Sequence, residues 1–190
     1  MAMRASTAFS IAALVMLAAC KQSAGPEAGE AADAPVAEAA ESATKASVQL
    51  GGGGIVVPAQ DGDAQLELPF GSMRTATEAS LAAVLGDLTG RGAQEECPVG
   101  PVMITEYADM TLTFQQDKFV GWIAEGPYLP TETLGELKAL GGMTEVAEST
   151  LGTEYVMGAE GGPTITVLFE GEGDDARASQ MWAGANCIFR

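Results

Sequence analysis

Histidine is absent from the 190 residues, and lysine plus arginine number only 9 against 26 aspartates and glutamates, a formal charge of −17. Without an imidazole there is no Ser-His-Asp or Cys-His catalysis and no His-ligated zinc, which excludes the commonest hydrolase and metalloenzyme sites. The scarcity of basic residues excludes a nucleic-acid binder built on Lys/Arg patches, because that mode of binding depends on counterion release from a polyanion. A phosphate loop, a CxxCH haem site and a nicotinamide fingerprint are also missing from the sequence, so no cofactor is expected. The apolar stretch between Arg4 and Lys21 includes several Ala, Ser and Thr residues, and it falls short of the roughly 20 residues that a transmembrane helix needs.

What that stretch does contain reads as an export signal: Arg4 gives a positive start, and Phe9 to Met16 form an uncharged apolar core. It ends in Leu17-Ala18-Ala19-Cys20, which resembles the lipobox of bacterial lipoproteins, where the cysteine becomes the acylated first residue of the mature chain. The resemblance implies a signal peptide over 1–19, lipidation of Cys20 with palmitate among its acyl chains, and anchoring to a membrane facing the periplasm. The alternative is an ordinary cleavable signal that happens to be followed by Cys. Lys21, where an Asp would favour the inner membrane, points by the same resemblance to the outer membrane. Removing residues 1–19 takes Arg4 away and leaves a more acidic body, which anionic headgroups repel while the lipid holds it. Residues 21–46 are rich in Ala, Gly, Pro and Glu, with no aromatic residue and Val36 as the only larger aliphatic. Such a segment buries too little apolar surface to offset its ordering entropy. With Cys20 it reads as a flexible tether over 20–46, with a reach of roughly 28 Å.

With Cys20 committed to lipid, Cys97 and Cys187 remain, an even pair in an exported chain, and a disulfide between them is expected. It would close a loop of about 90 residues and contribute on the order of 4–5 kcal/mol in the chain-entropy model. A reactive thiol and a metal pair are the other readings. Neither cysteine has a histidine or a CxxC partner, and Arg190 is the basic residue close by.

The globular portion, 47–190, reads as α+β with antiparallel strands. Ile55-Val56-Val57 and Leu66-Glu67-Leu68 flank Asp61-Gly62-Asp63 as a hairpin, and the remaining positions of a calcium loop are missing around those aspartates. Gly51 to Gly54 precede a strand rather than follow one, which argues against a nucleotide fingerprint. A helix capped by Thr75 or Thr77 carries Ala79, Leu81, Ala82, Val84 and Leu85 and stops at Gly86; a second opens on the capping box Thr133/Glu136 and stops at Gly141-Gly142. Extended segments are expected over 103–107, 111–115, 119–123, 153–157, 164–169, 179–182 and 186–189, with a turn at Gln116-Asp117.

Short matches recur in the same order: Leu85-Gly86 with Leu140-Gly141, Thr105-Glu106-Tyr107 with Thr153-Glu154-Tyr155, Thr111-Leu112-Thr113 with Thr164-Ile165-Thr166, and Trp122 with Trp182. They predict two tandem α-β-β modules, about 66–125 and 126–190, with the helices on one face of the sheet. A lipobox, an Ala-rich tether and tandem helix-plus-hairpin units resemble the small outer-membrane lipoproteins of the barrel-assembly machinery. The module layout is also similar to the secreted β-lactamase inhibitor protein. Both resemblances imply a binding module, and neither carries over a contact residue.

Paired carboxylates are the one catalytic class that composition leaves open. Glu95-Glu96, Glu170, Glu172 and Asp174-Asp175 sit in polar turns, where a solvated acidic surface is the simpler reading. Trp122, Trp182, Tyr107 and Tyr155 could stack on sugars, but packing beneath a helix fits their matched positions better. Ser10, Ser72 and Ser80 lack a base. The expected function is therefore a lipid-anchored, non-catalytic periplasmic module that binds a protein or an envelope component. The alternatives are a carboxylate-dependent envelope glycan hydrolase and a secreted-type inhibitor or small-ligand sequesterer.

Overall fold

The computed structural model describes residues 48–59, 64–159 and 161–190. The signal segment, Cys20, the tether and the Asp61–Asp63 turn lie outside the described residues. The chain begins with three short strands, β1 (Gln49–Gly51), β2 (Gly54–Val57) and β3 (Leu66–Pro69), paired antiparallel in that order. Gly52 and Gly53 turn β1 into β2, and Ile55 opposes Leu68 in the expected hairpin.

Helix α1 (Arg74–Leu85) follows and ends on Gly86 at φ 83°. Neither candidate threonine caps it. Met73 is the N-cap without a side-chain bond, and Thr77, fully buried, donates its hydroxyl to the Met73 carbonyl at 3.1 Å. Met73 is held in place by a bridge to Lys118, so tertiary pairing rather than a cap sets where this helix begins.

Four strands then form a meander: β4 (Gly90–Gln94), β5 (Val102–Tyr107), β6 (Met110–Gln115) and β7 (Lys118–Ala124). The β6–β7 turn places Gln116 and Asp117 at φ 51° and 59°, the left-handed pair that matches strand twist in a tight hairpin. Helix α2 (Leu134–Leu140) leads into a second meander of β8 (Met143–Glu145), β9 (Thr153–Met157), β10 (Ile165–Glu170) and β11 (Arg177–Gly184). The two meanders join through β7 and β11 into one eight-stranded antiparallel sheet, ordered β4-β5-β6-β7-β11-β10-β9-β8.

The fold is therefore α+β, but its division differs from the expected one. Each helix precedes four strands instead of two, and the described residues fall in one compact unit. Leu81 and Val84 of α1, Leu134 and Leu137 of α2, and Ile55 and Leu68 of the small sheet share a single core cluster with Leu112, Phe114, Trp122, Val167 and Phe169. Both helices and the small sheet thus cover the same face of the large sheet, because alternate strand residues point to one side.

The capping box of α2 is present. Thr133 Oγ1 accepts from the Glu136 amide at 3.3 Å, and the Thr133 amide donates to Glu136 Oε2 at 2.8 Å. The backbone bond to Thr133, then its side-chain bond, hold the Glu136 carboxyl below its ordinary range. A lowered folded value contributes stability above the unfolded range, and that contribution is lost as pH falls through the folded value. Thr133→Ala is expected to cost about 1 kcal/mol near neutral pH. The gap between wild type and Glu136→Gln should narrow as pH falls from neutral to below the carboxylate range, read by thermal denaturation at each end of that span.

Candidate functional site

Among the described residues, the segment Ala185–Arg190 crosses the face of the sheet turned away from the helices, with Pro98 and Val99 beside it. Gly184, at φ 77°, turns the chain off β11. The Ala185 amide then donates to the Val120 carbonyl at 2.8 Å. Beneath this strap lies Gly121, where a Cβ would stand 2.3 Å from the Ala185 oxygen and 2.7 Å from Asn186 Oδ1. Any side chain at 121 would lift the strap. Residues 186–189 therefore do not form the expected strand, and Phe189 is 64% exposed.

Two polar anchors hold the strap. Asn186 is buried: Thr113 Oγ1 donates to its Oδ1 at 2.9 Å, and its Nδ2 donates to the Ala183 carbonyl at 2.8 Å. Arg190 donates from Nη1 to Glu154 Oε2 at 2.8 Å and from Nη2 to Oε1 at 2.6 Å. The Glu154 side chain is 0% exposed and that of Arg190 45%. Ser149 Oγ adds a bond to Glu154 Oε2 at 2.5 Å and accepts from the Leu151 amide, fixing the loop before β9 around the carboxylate.

Grooves run along both sides of the strap. One, of about 260 Å³, lies between Cys187 and Phe189 on the strap and Ile104, Thr111, Thr113 and Ile123 on the sheet. The other, of about 280 Å³, is bounded by Pro98, Val99, Trp182, Ile188 and Arg190. The first continues through Thr111 and Ile123 into a notch of about 250 Å³ carrying Glu106, Asp109 and Glu125. One face thus offers half-buried aliphatic and hydroxyl side chains with an acidic end, and this can recognise a surface by shape and charge.

Cys97 and Cys187 are both free thiols, Cys97 buried. The structure brings them together: burial first, and then the neighbouring Cys97 thiol, push the Cys187 thiol up to about 11. The candidate carboxylates do not converge. Glu95 and Glu96 are exposed in the turn after β4, and Glu170, Glu172, Asp174 and Asp175 are exposed around the β10–β11 turn, where Asp174 meets Lys138 at 3.5 Å. Among the described residues no group of three Cys, Asp or Glu side chains is placed to hold a metal ion, and no helix is long and apolar enough to cross a membrane.

The four candidate stacking residues are buried. Trp122 donates Nε1–H to the Gly51 carbonyl at 3.0 Å, and Tyr155 packs edge-on to Phe169. Tyr107 faces α1 with its hydroxyl 3.4 Å from the Glu78 carbonyl, and burial, then the Glu78 charge, raise it to about 12. Trp182 corrects the matched-position reading. It opposes Ile123, whereas Trp122 opposes Leu112 and Ala183, so the two indoles lie on opposite faces and Trp182 is buried beside the strap, not beneath a helix. Ser72 and Ser80 donate to backbone carbonyls of Pro69 and Ala76, and Ser10 lies outside the described residues.

Sequence reasoning missed Thr113, Asn186, Glu154 and Arg190. The scarcity of arginine in so acidic a chain was the only available signal that Arg190 has a dedicated partner. No known protein family, curated protein or solved structure is significantly similar to this chain.

Proposed function

We propose that this protein is a lipid-anchored, non-catalytic periplasmic module, held through Cys20 to the outer membrane, that binds a protein or an envelope component on the helix-free face of its sheet. The observation that carries the reading is the pair of grooves beside the strap, where Ile104, Ile123 and the exposed Phe189 ring stand next to an acidic notch. Interface centres favour such aliphatic and aromatic groups, with polar side chains at the rim. The two helix-then-meander runs support the resemblance in layout to the barrel-assembly lipoproteins and the inhibitor protein, which implies a binding module.

A photo-crosslinking side chain placed at Thr111, on the open face, or at Ala83, exposed on α1, tests the reading in intact cells. Thr111 should give a discrete adduct and Ala83 none, and Cys20→Ala should move the chain out of the detergent phase and reduce the adduct. Equal adducts from both positions, or none from Thr111, would refute binding on this face. Unchanged partitioning of Cys20→Ala would refute the anchor.

A further inference from the structure

We propose that Cys97 and Cys187 form a redox latch on the strap: as a disulfide they pin residues 185–190 across the sheet, and as thiols they let the strap lift from Gly121, joining the two grooves into one trough. Cys187 lies between the two polar anchors, Asn186 and Arg190, at the point where the strap passes the β4–β5 connection. Pro98 and Val99 of that connection share a groove wall with Asn186 and Ile188, which places the two segments side by side independently of the thiol contact.

Cys97 is a fixed post. Its carbonyl accepts from the Gly100 amide at 2.8 Å, and the Val99 carbonyl accepts from Gln115 Nε2 at 2.9 Å, tying the connection to β6. The strap is the movable partner. Among the described residues it makes no strand pairing, its Phe189 ring faces solvent, and the Ala185–Val120 backbone bond, the buried Asn186 amide and the Arg190–Glu154 ion pair tie it down. The nearness of the Cys97 side chain to the Cys187 thiol supports the same pairing.

The chemistry is thiol–disulfide exchange with a disulfide oxidant such as glutathione disulfide. One cysteine thiolate attacks an oxidant sulfur and releases one glutathione thiol. The other cysteine, as its thiolate, then attacks the mixed disulfide, forming the Cys97–Cys187 bond and releasing the second glutathione. Two protein thiols give up two electrons and two protons, and the oxidant becomes two thiols. The latch operates whether or not a partner occupies the face.

The full chain, oxidised with glutathione disulfide or reduced with a phosphine, is mapped for its crosslink and followed by amide hydrogen exchange. A Cys97–Cys187 peptide pair is expected, with the Ala185 amide exchanging at least about tenfold more slowly in the oxidised form while the Leu112 and Trp122 amides stay equally protected in both. Gly121→Ala, reduced, should exchange Ala185 faster still and expose Cys187 to alkylation. Persistent thiols, glutathione adducts without the internal bond, a bond to Cys20 instead, or equal Ala185 exchange in both redox states would overturn the latch.

Discussion

Trp122→Ala is expected to lower the unfolding free energy by about 4 kcal/mol, in the range for removing a fully buried large aromatic side chain. For a domain of this size that corresponds to a fall in Tm of roughly 10 °C. The indole is fully buried between Leu112 and Ala183 on its neighbouring strands, and its Nε1–H reaches the Gly51 carbonyl at 3.0 Å. It thereby joins the small sheet to the large one. Trp122→Phe should keep most of the packing and lose the bond, costing about 1–2 kcal/mol. Urea and thermal unfolding followed by circular dichroism check both. A loss under about 1 kcal/mol for the alanine variant would mean that the core closes over the gap far better than such cores do.

Arg190→Ala should cost about 3 kcal/mol, because it leaves a buried carboxylate with its guanidinium partner removed. Glu154 has no exposed side-chain surface, and among the described residues the Ser149 hydroxyl is its one hydrogen-bonding side chain beyond Arg190. The half-exposed Arg190 loses less on being freed than Glu154 loses on being stranded. Glu154→Gln/Arg190→Ala should therefore be less destabilised than the sum of the single variants, with a coupling of at least about 1 kcal/mol. Additive effects in the cycle would show that the pair is held by other contacts and contributes nothing as a pair.

Both helices were legible in the sequence because Gly86 and Gly141 stop them and Thr133 with Glu136 announces the second. The β6–β7 hairpin was legible from its β-branched and aromatic strands around Gln116-Asp117. The strands that escaped notice are at the margins. β4 reads Gly-Arg-Gly-Ala-Gln and β8 Met-Thr-Glu, each forming one edge of the large sheet, and β1, Gln-Leu-Gly, forms one edge of the small sheet. An edge strand packs little and pairs on one side, so it needs no alternating apolar pattern and leaves none to read. The site was less legible still. Asn186 to Phe189 has the composition of a strand, and only the backbone turn at Gly184 and the bare position at Gly121 send it across the sheet. Glu154 and Arg190, 36 residues apart, carry no periodic signal of their pairing.

The joining of the meanders at β7 and β11 has a kinetic consequence. β7 finds its second neighbour only in a strand that starts more than fifty residues later, at Arg177. Until that strand arrives, the edges of β7 and β10 that it will pair stand open, each with unpaired backbone donors and acceptors able to template association. A chain emerging from N to C must therefore carry two unfinished half-sheets until residues 177–184 insert between β7 and β10 and close both ladders in one event. Such long-range closure is slow compared with hairpin formation. The residues that complete the sheet lead directly into the strap, so final closure of the fold and covering of its open face belong to the same late step.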